Sequence, residues 1–315
     1  MEDYLSKVLV GLTFGNDLCS LKLSSMCTAD LLCPICQFSD PCGWGEKNGF
    51  KIFRCRRCTH IFADIRSVAI DYANPHQLLS RMTHDALKDD LAYYEQLCRG
   101  EMKGAHTHIT AQLILDDIRQ RQPARLGSWL DVGSGSGYLV LRLKEFGLHP
   151  IGLEPGGWGP ISARDKQIEV IQGILTKRTF NQRFDFISAT DVLEHQTDPL
   201  AFIQLIEHYL APDGLAYISL PFADSFRASV LKEKWNMVAP PNHCQFFTLK
   251  SFSLLLKAAG FSLESFRRYN SSGLSGVWRI GLSLRVANQI ANALRIGDQA
   301  LFIISKGSAK ISAAD

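Results

Sequence analysis

The chain has 315 residues, of which 46% are hydrophobic and 21% are charged, and both fractions are near the averages for globular proteins. This composition excludes an intrinsically disordered chain, which needs few apolar residues and a high net charge. No apolar run reaches the roughly 18 uninterrupted residues of a membrane span, and a net charge of +3 is too small to indicate nucleic-acid binding by itself. At this length we expect one large domain that carries a smaller unit.

The nine cysteines of the chain indicate a reducing compartment and a metal site. Their number is odd and four of them form two close pairs, whereas a secreted disulfide framework favours an even count in a short chain. The N-terminus has no cluster of basic residues, and its apolar run at 8–12 is short, which argues against a signal peptide. We therefore predict a cytoplasmic protein in which the paired cysteines are metal ligands.

In chain order the sequence divides into four segments. Residues 1–30 give no consistent pattern and stay unassigned. Residues 31–64 are rich in cysteine, glycine and aromatic residues and cannot bury much apolar surface, so this segment needs a cross-link, such as a bound metal, to stay folded. Residues 65–122 look mainly helical and end before Pro123, since proline cannot continue a helix, and we interpret them as a helical connector or cap. Residues 123–315 form the large domain.

Two cysteine pairs in the second segment predict a zinc ribbon. Cys33 and Cys36 are followed, after 18 intervening residues, by Cys55 and Cys58, and this double C-x2-C spacing is typical of a four-sulfur zinc site. Two residues between the cysteines of a pair allow a tight turn, so that both sulfurs face one ion and the two turns complete a tetrahedron. Four thiolates leave no position for water, which predicts a structural Zn²⁺. Free buried thiols are the alternative, but they do not explain the spacing.

From residue 125 onward the pattern alternates between strands and helices. The predicted strands are 128–132, 150–153, 168–171, 184–189, 215–220, 261–269 and 301–306. The predicted helices are 138–146, 199–210, 249–259 and 279–294, and a turn at 211–214 ends the second of them. Alternating strands and helices predict an α/β domain with a mainly parallel sheet that is covered on both faces.

The first of these strands leads into a glycine-rich loop that predicts a cofactor site. After Asp131, glycines stand at the alternate positions Gly133, Gly135 and Gly137, and a helix follows. Glycines let the backbone turn sharply and let a ligand approach closely, and the start of the helix adds free N–H groups. Glu154 ends the next strand, 17 residues after Gly137, where an acid can hold the ribose hydroxyls of an adenosine cofactor. The spacing differs from the dinucleotide fingerprint G-x-G-x-x-G.

This stretch resembles the first motif of the class I S-adenosylmethionine (SAM)-dependent methyltransferases, and the resemblance extends over about residues 125–307. It implies a Rossmann-like, seven-stranded, mostly parallel sheet whose last two strands form an antiparallel hairpin. It also implies that the loop wraps the methionine part of SAM and that the acid after the second strand binds the ribose. The cofactor-binding residues that it implies are Asp131, Gly133, Ser134, Gly135, Gly137, Glu154 and Asp191. The last of these could face the methionine end of the cofactor or simply end its strand.

Two further stretches resemble segments of this family. Residues 184–195 look like its fourth strand and the L-E-H segment that follows, and residues 241–248 match a P-x-H-x-x-x-(F/Y) pattern found in one branch of these enzymes. Because histidine titrates near neutral pH, His195 and His243 are candidate catalytic proton acceptors, and Glu194 could orient His195 or bind the substrate. Each histidine could instead cap a helix or hold a loop in place.

A zinc ribbon ahead of such a domain resembles the arrangement in sugar-modifying C-methyltransferases and related enzymes of glycan and natural-product pathways. We therefore predict methyl transfer to a small molecule or glycan, with SAM and Zn²⁺ as the bound groups. One alternative is an RNA methyltransferase whose ribbon presents the substrate, although phosphate binding needs clustered basic residues and the net charge is small. The other alternative is a non-catalytic zinc-ribbon interaction protein on a degenerate methyltransferase fold. The sequence leaves the acceptor atom and the oligomeric state open.

Overall fold

The computed structural model of the chain describes residues 31–67, 92, 95–97, 99–101, 105–121, 127–156, 167–269 and 297–307. Three predictions therefore lie outside the described residues, in whole or in large part. They are the unassigned start at 1–30, most of the connector between 68 and 104, and the helix at 279–294. The described strands form two sheets, one of four strands and one of seven.

The smaller sheet is built mainly by the cysteine ribbon (residues 31–64). Its four strands, all antiparallel to their neighbours, are in spatial order β1 (Pro41–Lys47), β2 (Phe50–Cys55), β3 (Ile61–Ala63) and β9 (Gln245–Phe246). Asn48 and Gly49 join the first two strands with φ values of 52° and 80°, the left-handed conformation that a tight hairpin turn requires and that these two residue types adopt readily. Because β9 comes from far along the chain, the ribbon shares its sheet with the large domain.

The larger sheet forms the centre of the large domain. Its strands are β4 (Ser128–Val132), β5 (His149–Glu154), β6 (Glu169–Gln172), β7 (Phe184–Thr190), β8 (Leu210–Pro221), β10 (Phe261–Tyr269) and β11 (Gln299–Lys306). They lie in the order β10-β11-β8-β7-β4-β5-β6. The five strands from β8 to β6 are parallel, whereas β11 runs antiparallel to both β8 and β10. The predicted Rossmann-like, seven-stranded, mostly parallel sheet is confirmed.

One predicted turn lies within a strand instead of before it. β8 already begins at Leu210, which lies opposite Phe184 on β7, and the next partners in the register are Leu215 and Phe186. Residues 211–214 therefore bulge out of the ladder, because one strand has more residues between these pairs than the other. The proline, aspartate and glycine in this bulge are the residue types that also favour turns.

Helices cover both faces of the larger sheet. The described helices are α1 (His106–Arg121), α2 (Tyr138–Glu145), α3 (Pro199–Tyr209), α4 (Phe226–Leu231) and α5 (Leu249–Ala258). Ile218 and Phe302 pack with α3 and α5 on one face, and Trp129 and Tyr217 pack with α1 and α2 on the other. All four side chains are fully buried, and burying a large apolar side chain contributes about 1.5–3 kcal/mol. None of the described helices is long and apolar enough to cross a membrane.

Candidate active site

The glycine loop connects β4 to α2 through three residues in the left-handed conformation. The φ values are 72° at Gly133, 56° at Gly135 and 79° at Gly137. A Cβ atom on Gly133 would lie 2.4 Å from Cγ2 of Val192, and one on Gly137 would lie 2.5 Å from Cδ1 of Ile168. Both distances are well below van der Waals contact. Side chains are therefore excluded at these two positions, which keeps the backbone accessible to a ligand.

Glu154 ends β5 and directs its carboxylate at this loop. Oε2 accepts a hydrogen bond of 2.9 Å from the backbone N–H of Gly135, and Oε1 accepts one of 2.8 Å from that of Gly156. The residue is 7% exposed, and burial raises its pKa although both N–H donors oppose the rise. The structure thus brings together the loop and the acid that the sequence paired, and the contact of Glu154 with a ribose stays a prediction.

Asp131 lies beneath the loop and not on its surface. It is buried, its Oδ1 accepts a hydrogen bond of 2.6 Å from Oγ of Ser188 on β7, and burial raises its pKa to about 7. Oγ of Ser134 is also buried, has no hydrogen-bond partner among the described residues, and would lie 2.6 Å from a Cβ on Gly152. Asp131 therefore links β4 to β7 just before the loop begins. Contact of Asp131 or Ser134 with a cofactor stays a prediction.

A second group of polar residues follows β7. The N–H of Asp191 donates to the carbonyl of Ser219 at 3.0 Å, and its Oδ2 lies 3.2 Å from Nε2 of His106, the first residue of α1. Burial alone would raise the pKa of Asp191 and lower that of His106, but their hydrogen bond prevails, so the pKa of Asp191 is lowered and that of His106 is raised. The sequence carries no signal for this pair of residues, because only the fold brings α1 to the end of β7.

His195 and His243 lie edge to face, with ring centroids 4.7 Å apart. Nδ1 of His195 is 2.9 Å from the carbonyl oxygen of Asn242, and Nδ1 of His243 is 2.8 Å from that of Met237. A carbonyl oxygen only accepts hydrogen bonds, so Nδ1 carries the proton in both rings and Nε2 keeps its lone pair. Asp198, and not His195, caps α3 with its side chain. The structure thus brings the two candidate catalytic histidines together.

Glu194 lies on the buried side of the two histidines. It is 1% exposed, neither carboxylate oxygen has a hydrogen-bond partner among the described residues, and Oε1 is 4.0 Å from Nε2 of His195. Burial, followed by repulsion from Asp191, raises the pKa of Glu194 well above its usual value. Burial also lowers the pKa of His195 to about 4 and lowers that of His243. A buried carboxyl group without a partner is costly, and a hydrogen-bonding ligand or a cation would satisfy it.

These three residues form what we call the acid–histidine cluster (Glu194, His195 and His243). They offer one oxygen and two nitrogen atoms that lie within 4.8 Å of one another. A bound metal usually has imidazole ligands whose other N–H is donated to a carbonyl or carboxylate, and the same Nε2 atoms could accept a proton. The cluster can therefore hold a divalent cation or act as a base, and it lies beside the loop because Val192 contacts Gly133.

The four cysteines predicted to bind zinc converge in the cysteine ribbon. The sulfurs of Cys33 and Cys58 are 3.5 Å apart, as are those of Cys36 and Cys55, and all four lie within 4.8 Å of one another. Tetrahedral Zn–S bonds of about 2.3 Å place sulfurs about 3.8 Å apart, so the residues fit a zinc ion. Hydrogen bonding with Cys58 lowers the pKa of Cys33 to about 6, which favours a thiolate. Cys42 lies outside this group and donates to the carbonyl of Arg54.

Comparison with known proteins identifies the large domain. A family model described as "Methyltransferase domain" matches residues 106–265, just over half of the chain. The ubiquinone biosynthesis O-methyltransferase of Actinobacillus pleuropneumoniae is 29% identical over 126 residues, which cover 36% of this chain and 53% of that protein. The enzyme of the same name from Xylella fastidiosa is 30% identical over 122 residues, which cover 36% of this chain and 49% of that protein. The chain spans about half the length of these curated relatives.

The fold has a counterpart among solved structures. A chain in the complex between the Haloferax volcanii Trm112 methyltransferase activator and its methyltransferase is 15% identical, with a TM-score of 0.50 over 69% of this chain and 97% of that chain. At this identity the likeness concerns the fold alone. This likeness agrees with the strand order and with the match over residues 106–265, in which the glycine loop follows the first strand of the larger sheet. The chain therefore belongs to the methyltransferase-domain family and has the fold of the class I SAM-dependent methyltransferases.

Proposed function

We propose that the chain transfers the methyl group of SAM to a hydroxyl oxygen of a small molecule. The observation that carries the proposal is that the glycine loop, with Glu154, lies at the same edge of the sheet as the acid–histidine cluster. SAM supplies, when bound, a methyl group that its sulfonium already activates. The main task of the protein is then orientation, which can lower the barrier by up to roughly 7–11 kcal/mol.

The glycine loop and Glu154 would hold the methyl donor. The open backbone at Gly133 and Gly135 would admit the methionine part of SAM, and the carboxylate of Glu154 could accept hydrogen bonds from two ribose hydroxyls with its remaining lone pairs while it keeps those from the backbone N–H groups. Glu154 suits the ribose of SAM, because a carboxylate only accepts hydrogen bonds and the ribose hydroxyls can donate them. Asp191, next to the loop, would face the methionine end.

The acid–histidine cluster would activate the acceptor. A hydroxyl nucleophile must lose its proton, and Nε2 of His195 or His243 can accept it because the Nδ1–H of each ring is held by a backbone carbonyl. A positioned base typically accelerates a reaction about 10²–10⁴-fold. With a pKa of about 4, His195 as the base would suit an acidic hydroxyl such as that of a phenol, whereas a sugar hydroxyl would need activation by a cation as well.

The unpartnered carboxylate of Glu194 supports a second way to activate the acceptor. A divalent cation held by the three residues of the cluster would bind the hydroxyl and lower its pKa. Neutral imidazoles bind metal through the Nε2 lone pair without first losing a proton. Methyl transfer by protein that keeps its four-cysteine zinc by elemental analysis, with and without added Mg²⁺ or Mn²⁺, distinguishes the two modes. Activity that needs one of these cations supports the metal mode, and activity that is indifferent to both supports the base.

We propose sugars, glycans and natural-product phenols as the candidate acceptors, and two curated relatives are named as O-methyltransferases. RNA has weaker support. Arg56 on the exposed edge of the ribbon pairs with Asp40 at 3.5 Å, and the net charge of the chain is only +3. RNA affinity that falls steeply with salt would favour the RNA alternative, since counterion release makes phosphate binding salt-dependent.

We also propose that Cys33, Cys36, Cys55 and Cys58 hold one structural Zn²⁺. Their crowded sulfurs support this assignment, and a zinc ion with four thiolate ligands stabilises a small fold by an amount on the order of 10 kcal/mol. A reducing, cytoplasmic compartment stays part of the proposal, because the four ligands must be thiolates and not disulfides. The segment boundaries at 30, 64 and 122 stay predictions from the sequence.

The test combines binding with product analysis. Purified protein is titrated with SAM in a calorimeter and then incubated with methyl-labelled SAM and a panel of nucleotide sugars and phenols. We expect SAM binding, and label on a hydroxyl oxygen of at least one acceptor. Glu194→Gln should lower transfer without weakening SAM binding. Absence of SAM binding would contradict the donor site, labelled nitrogen or carbon would contradict O-transfer, and binding without any transfer would favour the non-catalytic alternative.

A further inference from the structure

We propose that the cysteine ribbon positions the acceptor side of the cleft, with His60 and Asn48 as positioning residues that hold the segment 235–246 from two directions. This segment carries His243. The inference therefore rests on the proposed function in one respect, namely that this histidine faces the acceptor. The ribbon is then part of the framework of the active site and not a separate binding module.

The first hold is a ladder of backbone hydrogen bonds. β3 of the ribbon pairs with β9, and the ladder continues where the N–H of Ala63 donates to the carbonyl of Cys244 at 2.9 Å. The N–H of Cys244 in turn donates to the carbonyl of Glu194 at 2.9 Å. Because His243 directly precedes Cys244, this ladder connects the ribbon to both chain segments that form the acid–histidine cluster.

The side chain of His60 fixes this junction. His60 is fully buried, its Nε2 donates to Oε1 of Gln245 at 2.8 Å, and its Nδ1 lies 3.3 Å from Oγ of Ser251. The amide of Gln245 then donates to the carbonyl of Gln196 at 3.1 Å. The backbone carbonyl of His60 accepts a hydrogen bond of 2.8 Å from the N–H of Cys55. His60 thus contacts a proposed zinc ligand through its backbone and contacts Gln245, which follows His243, through its imidazole.

The second hold comes from the tip of the β1–β2 hairpin. Nδ2 of Asn48 donates to the carbonyl of Pro240 at 2.9 Å, and Nζ of Lys47 donates to the carbonyl of Trp235 at 3.1 Å. Both acceptors lie shortly before His243 in the chain, whereas the ladder with β3 lies directly after it. The segment is therefore held on both sides of the histidine by the same ribbon.

The glycine loop is anchored by different partners. The N–H groups of Gly133 and Ser134 donate to the carbonyl of Leu153 at 2.8 and 3.2 Å, and that of Gly135 donates to Glu154. Both acceptors lie on β5 of the larger sheet. Loss of the hydrogen bonds between the ribbon and the segment 235–246 should therefore make that segment more mobile and leave the glycine loop unchanged.

Hydrogen–deuterium exchange of the whole chain, with S-adenosylhomocysteine (SAH) as the ligand probe, tests this assignment. His60→Ala removes the buried imidazole, and His60→Gln keeps a donor for Gln245. Asn48→Asp keeps the shape and the left-handed preference of this exposed residue but removes its donor, so it tests the proposal even if the first variant does not fold. Arg57→Ala, at an exposed ribbon position, is the matched control.

We expect exchange over 236–248 to be at least about tenfold faster in His60→Ala, about fivefold faster in Asn48→Asp, which loses one hydrogen bond, and less affected in His60→Gln. Exchange over 129–146 and SAH affinity should stay within twofold of the unmodified chain in all variants, and Arg57→Ala should change neither.

Unchanged exchange over 236–248, or equal acceleration over 129–146, would overturn the proposal. An effect confined to variants that have lost bound metal by elemental analysis would also overturn it, because the cause would then be loss of the ribbon fold and not of these contacts. The proposed function fails separately, if the unmodified chain neither binds SAM nor transfers methyl. The exchange pattern does not depend on that result.

Discussion

A side chain at Gly133 should lower the free energy of unfolding for two separate reasons. Gly133→Ala places a β-carbon on a residue with a φ of 72°, which costs about 1–2 kcal/mol. The same β-carbon would lie 2.4 Å from Cγ2 of Val192, and forced overpacking typically costs about 1–3 kcal/mol. We therefore expect the free energy of unfolding to fall by about 2–5 kcal/mol.

Gly260 offers the matched control for this experiment. Its φ is 76°, and a Cβ atom there would meet nothing within 4 Å. Gly260→Ala should therefore carry only the conformational cost of about 1–2 kcal/mol. Urea-induced unfolding followed by tryptophan fluorescence measures both variants, and calorimetric titration with SAH measures the donor site. Gly133→Ala should lose both stability and affinity, whereas Gly260→Ala should keep its affinity.

Val192 allows a direct test of the overlap. In the double variant Gly133→Ala/Val192→Ala the contact at Cγ2 is removed, so the two substitutions should be less destabilising together than the sum of their separate effects, by about 1 kcal/mol or more. Equal losses in Gly133→Ala and Gly260→Ala, or additive effects in the double variant, would refute the reasoning that close packing against the segment after β7 requires glycine here.

The remaining predictions concern the donor site, the ribbon and a buried histidine. Glu154→Ala removes an acceptor of charge-assisted hydrogen bonds, each worth about 1.5–3 kcal/mol, so SAM affinity should fall at least tenfold in calorimetry, and unchanged affinity would contradict the site. Cys36→Ser should lose most of its zinc in elemental analysis, whereas Cys42→Ser should keep it. Burial lowers the pKa of His60 to about 4. Between about pH 6.5 and pH 4 the imidazole therefore binds a proton in the unfolded chain but not in the folded one, and the free energy of unfolding should decrease as the pH is lowered, by up to about 3 kcal/mol near pH 4. His60→Gln should weaken this pH dependence in urea unfolding. An equal pH dependence in the unmodified chain and the variant would contradict the assignment to His60.

The donor half of the candidate site could be predicted because its signals are local. The glycines, the strand before them and the helix after them lie within one short stretch, and Glu154 lies at the end of the neighbouring strand. Parallel strands joined by a helix bring their carboxyl ends to one edge of the sheet, so the spacing alone already implied the contact. What the spacing could not indicate is that Asp131 faces Ser188 below the loop, because that contact depends on which strand lies beside β4.

The acceptor half could be predicted only in part. His195, Glu194 and His243 were singled out by residue type and resemblance, but their mutual distances depend on a loop that follows β8 and returns to the end of β7. The contribution of His106 depends on the packing of α1, which carries no sequence signal for the position of Asp191. The contacts of His60 carry no sequence signal for the same reason, since a histidine close to a cysteine pair is as easily a bystander as a side chain that holds a distant segment in place.

The two sides of the proposed site differ in how far their residues can vary. In the proposed donor site the positions of Gly133 and Gly137 leave no room for a side chain, so this stretch can vary little. The acceptor side depends on contacts between distant segments, including the hydrogen bonds of Asn48 and His60 to the segment that carries His243. Under the proposed function, a substitution in the ribbon can therefore shift the acceptor-facing His243 without contacting the glycine loop. The ribbon is then a region where acceptor preference can be altered while donor affinity is conserved, and comparing exchange over 236–248 with exchange over 129–146 and with SAH affinity tests whether the two sides are independent.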